Sequence, residues 1–152
     1  MLVGLTACED GGPTEPDVLT LDDLSGVWEI ASFSFTPNQG SLPAYDLMAL
    51  GGAAALSIQP GGNFTGTVLL PGIITGEGDL SFPIAGVIRL MEDSEHVRID
   101  FIPEQPPFFT AMEPGIEMSG ASFTISDPDF PIDLDNDGTF ESTTMRALVV
   151  RQ

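Results

Sequence analysis

Short segments in which apolar and polar residues alternate run through most of this chain, and turns rich in glycine separate them. Alternation with a period of two is typical of β-strands, because successive side chains point to opposite faces of a sheet. The 17 glycines and 13 prolines suit frequent turns better than long helices. The pattern predicts eight strands, at 26–36, 53–59, 63–70, 80–91, 97–102, 116–119, 122–126 and 143–151. In the first of them, strict alternation places Phe33 and Phe35 on the face of Val27, opposite Trp28.

These strands predict a single all-β domain. Eight short strands joined by tight turns are typical of a barrel or a sandwich, and a hydrophobic fraction of 42% supplies a core. We expect one antiparallel eight-stranded up-and-down β-barrel, with a β-sandwich as the alternative. One or two short helical turns are expected beside it, one between Thr20 and Gly26 and one at 44–50.

The first predicted strand opens with a glycine and the single tryptophan of the chain. The segment Leu24-Ser-Gly26-Val-Trp28 resembles the Gly-x-Trp opening of lipocalin-like proteins, in which the tryptophan plugs the closed end of the barrel. In that family a basic residue from the end of the chain stacks on the tryptophan. The resemblance covers about 20–152, and it implies that Arg151 stacks on Trp28 as a cation–π pair.

The single cysteine, Cys8, ends an apolar stretch. The segment Leu5-Thr6-Ala7-Cys8 resembles the lipobox of bacterial lipoprotein signal peptides, in which the cysteine thiol becomes diacylated. The resemblance implies that 1–8 is the remnant of such a peptide and that Cys8 carries a lipid. It also implies an extracytoplasmic protein, anchored to the outer membrane or cell surface, or an extracellular one. The alternative is a lone free cysteine in a flexible terminus.

The next segment, 9–19, is acidic and contains several glycines and prolines, so it is predicted to be a flexible tether. The barrel domain then occupies 20–152. This organisation gives a signal-peptide remnant, a tether and one folded domain. Contact with a membrane is expected only through a lipid on Cys8.

The charge of the chain is strongly negative. Twenty-three aspartates and glutamates face four arginines and no lysine, and the formal net charge is −19. Such a surface repels nucleic acid and anionic membrane surfaces, and it favours cations as partners.

Nine residues near the end of the chain resemble a calcium loop. Asp133-Leu-Asp135-Asn-Asp137-Gly-Thr139-Phe-Glu141 follows the Asp-x-Asp-x-Asp-Gly pattern of EF-hands and of many extracellular β proteins. Ca²⁺ takes six to eight oxygen ligands, and glycine permits the sharp bend at the sixth position. The resemblance implies as ligands the carboxylates of Asp133, Asp135 and Asp137, the backbone carbonyl of Thr139, and Glu141 directly or through water.

The loop departs from an EF-hand at its end. Position twelve is Thr144 rather than glutamate, and a strand is predicted from 143 onward instead of a helix. We therefore expect a calcium loop between two strands, completed from elsewhere, with Asp127 and Asp129 as the nearest candidates. Two other interpretations stay open at this point, ordinary Asp/Asn/Gly turn chemistry and a solvated acidic loop.

No group of residues in the sequence forms a recognisable catalytic set. The only histidine is His96, which predicts neither a zinc site nor a Ser-His-Asp triad, so we expect no enzyme.

The sequence predicts a lipid-anchored, extracytoplasmic, calcium-binding barrel that binds a small apolar ligand. A filled barrel without a ligand is also compatible with it. The alternative function is a structural subunit of an extracellular filament or surface assembly, a homo-oligomer or polymer stabilised by calcium and N-terminal strand exchange.

Overall fold

Among the residues that the structure describes, one short helix and nine strands make up the regular structure. The computed structural model describes residues 18–72, 78–102, 111–135 and 137–152. Its elements are α1 (Leu21–Leu24), β1 (Gly26–Pro37), β2 (Tyr45–Asp46), β3 (Ala53–Ile58), β4 (Asn63–Leu70), β5 (Leu80–Leu90), β6 (Val97–Phe101), β7 (Gly115–Ser119), β8 (Ser122–Ile132) and β9 (Glu141–Arg151).

The strands form one antiparallel sheet in the order β6-β5-β4-β3-β1-β9-β8-β7, and β2 pairs only with β1. The two outer strands of this order then meet. Val97 donates its N–H to the carbonyl of Pro114 at 3.0 Å, and Ile99 and Met112 exchange two further backbone hydrogen bonds of 2.9 and 3.0 Å. Every strand except β2 thus lies beside its neighbours in sequence, with β1 and β9 completing the ring. The predicted eight-stranded up-and-down barrel is confirmed, and the alternative of a sandwich is wrong.

The two ends of the barrel differ. We call the end at which β1 starts and β9 stops the closed end, and the opposite end the mouth. At the closed end α1 lies over the interior, where Leu24 is fully buried and Leu21 packs against the core. Thr20 caps this helix, because its side chain accepts the N–H of Asp23 while the carboxylate of Asp23 accepts the N–H of Thr20. The hydrogen bonds from Thr20 hold the pKa of Asp23 below its usual value.

Of the helical turn predicted at 44–50 a single turn forms, in which the N–H of Leu50 donates to the carbonyl of Asp46 at 3.2 Å. Those residues contain β2 and a turn, and the side chain of Asp46 organises them. Asp46 Oδ1 accepts the N–H of Met48 at 2.9 Å and those of Phe33 and Ala49 at 3.3 Å. Burial tends to raise the pKa of Asp46, but these backbone hydrogen bonds outweigh it and the pKa is lowered. The Asp46 side chain thus caps this single turn as an N-cap residue caps a helix, and it also ties the turn to β1 through Phe33.

Strict alternation along β1 is also wrong, because of a β-bulge. The pairing of β1 with β9 shifts register between Ile30 and Ser32, so the residues after the bulge change face. Trp28 and Phe35 are both buried although seven positions separate them, whereas Val27 is 54% exposed. The inner face therefore switches from the even-numbered to the odd-numbered positions half-way along the strand.

Apolar side chains fill the interior as two clusters. The larger one surrounds Trp28 and includes Phe64 and Phe123, and its residues come from β1, β3 to β9 and α1. The smaller one has Phe35, Leu47 and Met145 at its centre. In this smaller cluster, which lies toward the mouth, seven further apolar side chains are only partly buried: Phe33, Met48, Leu70, Met112, Phe130, Ile132 and Leu134.

Trp28 and Arg151 meet at the closed end, as the resemblance to lipocalin-like proteins implies. The Cζ atom of Arg151 lies 4.3 Å from the centroid of the Trp28 ring. The same guanidinium donates to the carbonyls of Asp23 and Ser25, each at 2.8 Å. The indole Nε1 donates to the carbonyl of Leu24 at 2.7 Å, and the ring is fully buried. One arginine thus joins the end of β9 to the segment that leads into β1.

Gly26 makes this close approach possible. Its φ is +138°, a conformation that L side chains rarely adopt, and a Cβ at this position would lie 2.7 Å from Arg151 Nη1. The glycine of the Gly-x-Trp segment is therefore required by its backbone conformation, and a Cβ here would also displace the Arg151 guanidinium from its contacts.

Replacing the arginine tests the contribution of this junction. Arg151→Ala should lower the free energy of unfolding by about 2 kcal/mol, because the cation–π contact and two hydrogen bonds to carbonyls are lost. Urea unfolding followed by the emission of Trp28 measures the difference. Arg146→Ala is the matched control, since Arg146 is exposed and forms no ion pair within the described residues. Equal stability of the two variants would contradict a structural role for Arg151.

Candidate metal centre

The calcium-like loop joins β8 to β9 at the mouth of the barrel. β8 ends at Ile132 and β9 begins at Glu141, and these two residues are direct partners in the sheet. Strand pairing therefore brings the two ends of the loop together and holds Glu141 beside Asp133. The loop lies at the end of the barrel opposite Trp28 and Arg151.

Four carboxylates converge in this loop. Asp133, Asp135, Asp137 and Glu141 can each offer one oxygen, and these oxygens all lie within 4.8 Å of one another. Asp133 and Glu141 are half-buried, and the other two are exposed. None of the ion pairs among the described residues involves any of the four. The cluster thus gathers negative charge without an arginine to balance it.

Backbone N–H groups orient these carboxylates. Asp133 accepts from the N–H of Asp137 at 3.1 Å and from that of Gly138 at 2.9 Å, one through each oxygen. Asp137 Oδ1 accepts the N–H of Thr139 at 2.7 Å. Gly138 has a φ of +88°, so the sharp bend falls at the sixth position of the loop, as the sequence pattern implies. The bond from Thr139 to Asp137 is that of an Asx turn, and the two bonds to Asp133 close the wider loop around it.

The donor set fits a hard divalent cation. Each carboxylate oxygen has two lone-pair sites, so an oxygen that accepts one N–H can also bind a metal ion. Oxygen donors alone, with several carboxylates in a tight loop, suit Ca²⁺. Thr139 lies within the same turn, and Asn136 is outside the described residues.

The two carboxylates expected to complete the site are held elsewhere. Asp127 and Asp129 belong to β8, which continues to Ile132 instead of ending at the predicted residue 126. A β-bulge between Asp127 and Phe130 interrupts the pairing there. Asp127 Oδ1 accepts the N–H of Asp129 at 3.0 Å, and Asp129 Oδ1 accepts the hydroxyl of Ser142. The structure therefore does not bring Asp127 or Asp129 into the cluster of four.

Asn38, the residue that follows β1, supports the start of β9. Its side-chain amide donates to the carbonyl of Pro128 at 2.8 Å and to Ser142 Oγ at 2.7 Å. Its side-chain oxygen accepts the hydroxyl of Thr144 at 2.8 Å. Asn38 thus fixes the residue that follows Glu141. The sequence contains no signal for this contact, because Asn38 precedes the loop by about a hundred positions.

Leu134 connects the loop to the apolar mouth. It lies between the first two aspartates and packs against the smaller cluster. Its N–H donates to Glu141 Oε2 at 2.8 Å. The carboxylates and the mouth therefore share one short segment of chain.

His96 lies away from this centre. It is exposed, and its Nδ1 lies 2.7 Å from Asp93 Oδ2. Hydrogen bonds from the N–H of Glu95 and from His96 lower the pKa of Asp93. The structure thus places the single histidine on the surface, and Cys8 lies outside the described residues.

Comparison with known proteins adds no assignment. Neither protein-family models nor curated proteins match this chain. None of the helices in the described ranges is long and apolar enough to span a bilayer.

Proposed function

We propose that this protein is a lipid-anchored, extracytoplasmic β-barrel that binds Ca²⁺ through the loop between β8 and β9 and a small apolar ligand at its mouth. The observation that carries the metal part is the convergence of four carboxylates within 4.8 Å, without an ion-pair partner among the described residues.

Ca²⁺ would neutralise the loop. Like charges at this separation repel one another, and a divalent cation among them turns the repulsion into attraction. Asp133, Asp135, Asp137 and Glu141 would hold the ion. Because they flank the junction of β8 and β9, the ion would stabilise the mouth of the barrel rather than take part in a reaction.

Thermal unfolding tests the metal site. Ca²⁺ at a hundredfold excess over its dissociation constant should stabilise the fold by about 3 kcal/mol. For a domain of this size that corresponds to a rise in Tm of about 10 °C. The rise should disappear in the double variant Asp135→Asn, Asp137→Asn, and Mg²⁺ should produce a smaller one.

Asp127→Asn is the matched control, because it makes the same chemical change outside the cluster of four. It should keep the full rise in Tm. If wild type and double variant melt alike with Ca²⁺ and with chelator, the loop is not a calcium site.

The proposed anchor depends on Cys8, which lies outside the described residues. Its support is the Leu5-Thr6-Ala7-Cys8 segment followed by an acidic stretch. A precursor with a complete signal peptide, expressed in bacteria, should incorporate labelled palmitate and fractionate with membranes. Cys8→Ser should abolish both. Labelling that survives Cys8→Ser would contradict the anchor.

The proposed ligand site is the mouth. The seven partly buried apolar side chains of the smaller cluster include Met48 and Met112, and methionine adapts its shape to irregular apolar partners. With 23 acidic residues and four arginines, the chain suits a neutral or cationic ligand better than an anionic one.

Nile red, a neutral dye, probes this site. Wild type should bind it saturably with one-to-one stoichiometry. Met48→Glu should abolish binding, and Leu148→Glu, a control on the outer surface where Leu148 is 38% exposed, should retain it. The emission of Trp28 should stay blue-shifted in all three proteins, because its ring is buried at the closed end. Absence of saturable binding by the folded wild type would indicate a filled barrel.

The alternative function, a filament or surface-assembly subunit with N-terminal strand exchange, depends on residues 1–17, which lie outside the described residues.

A further inference from the structure

The charged side chains of this barrel are separated along its axis. Arg89, Arg98 and Arg151 lie in the half that contains the closed end, and Arg146 lies half-way along β9. The chain has no lysine. Among the described residues, the mouth therefore has no cationic side chain of its own.

The mouth does carry carboxylates, at three points of its rim. One lies on β2, one directly precedes β5, and the other four form the cluster in the loop after β8: Asp46, Asp79, Asp133, Asp135, Asp137 and Glu141. None of the six takes part in an ion pair within the part of the chain that the structure describes. A concentration of one sign of charge beside an apolar surface attracts ligands of the opposite sign.

The apolar wall of the mouth and these carboxylates meet at Leu134. Its side chain packs against the smaller cluster, and its N–H donates to Glu141 Oε2 at 2.8 Å. Asp133 and Glu141, the two members of the carboxylate cluster that are half-buried, are the ones on either side of this contact. A ligand held by the smaller cluster would thus lie close to negative charge.

Aromatic rings form part of the same wall. The ring centroid of Phe35 lies 4.9 Å from that of Phe33 and 5.7 Å from that of Phe130, and all three residues belong to the smaller cluster. The faces of aromatic rings attract cations as well as apolar groups. The wall therefore favours a ligand that is apolar and also positively charged.

We propose that the ligand of the mouth is a lipophilic organic cation. Its apolar body packs against the smaller cluster, and its positive charge lies beside the carboxylates of the loop. This inference rests on the ligand site of the proposed function, and it narrows the ligand from neutral or cationic molecules to cationic ones. Ca²⁺ is not required, because an ion in the loop would neutralise the same carboxylates and weaken the attraction.

Two dyes that share one fused ring system test the proposal, because Nile red is neutral and Nile blue carries one positive charge. Chelator is present throughout. In 0.01 M salt Nile blue should bind wild type with a Kd about tenfold lower than that of Nile red. In 0.15 M salt this preference should fall to about threefold, because the Debye length falls from about 30 Å to about 8 Å. Nile blue should also displace Nile red, with one-to-one stoichiometry.

Two double variants separate the mouth from the net charge of the chain. Asp133→Asn with Glu141→Gln removes two carboxylates beside the mouth, and Glu92→Gln with Glu95→Gln removes two exposed ones from the hairpin between β5 and β6 at the closed end. Both variants lose two negative charges, so their net charges are equal. In 0.01 M salt the loop variant should prefer Nile blue by about twofold only, whereas the hairpin variant should keep a preference of about tenfold. Thermal unfolding in chelator shows that both variants fold.

Equal affinities of wild type for the two dyes would overturn the proposal but leave the ligand site of the proposed function intact, since Nile red would still bind saturably. Equal preferences in the two folded double variants would overturn it as well, because the attraction would then come from net charge. If neither dye binds wild type saturably, the mouth is not a ligand site, and both proposals fail. The comparison of the two dyes on wild type does not depend on the folding of any variant.

Discussion

The barrel depends on the pairing of its first strand with its last. β1 and β9 are separated by most of the sequence, and without their pairing the sheet would have two open edges. Arg151 secures this junction at the closed end through the Trp28 ring and two carbonyls. Asn38 reinforces it at the mouth, where its backbone N–H donates to the carbonyl of Ser142 at 3.0 Å. Ring closure thus has a specific contact at each end.

With four arginines and 23 acidic residues, only a few carboxylates on this surface can form an ion pair with an arginine. Arg89 and Arg98 pair with Asp100, and Arg98 also pairs with Glu113, so two of the four tie β5 and β6 to the segment before β7. Asp100 and Glu113 are hydrogen-bonded to the guanidinium of Arg98 and raise its pKa. The carboxylates of the loop have no such partner among the described residues. The proposed Ca²⁺ would balance this part of the negative charge.

The part of the candidate site that could be predicted from the sequence is the part whose residues are close together in the chain. Asp133, Asp135, Asp137 and Glu141 lie within nine consecutive residues, so their spacing and one glycine suffice to bring them together. Asp127 and Asp129 are nearly as close in sequence, yet a bulge in β8 and a hydrogen bond from Ser142 hold them elsewhere. The support that Asn38 gives to β9 arises from strand pairing across the barrel, which local spacing does not encode.

The sequence by itself determined where the eight barrel strands lie, apart from the second half of β8, because the period of two and the turn residues between segments are local properties. It also indicated Gly26, Trp28 and the acidic loop. It did not indicate β2. Only the tertiary structure decided which face of β1 points inward, since the bulge between Ile30 and Ser32 depends on register with β9. It likewise decided that 44–50 is a strand and a turn capped by Asp46, because one of the N–H donors, Phe33, comes from a neighbouring strand. Local periodicity sets secondary structure, whereas register and closure are properties of the assembled sheet.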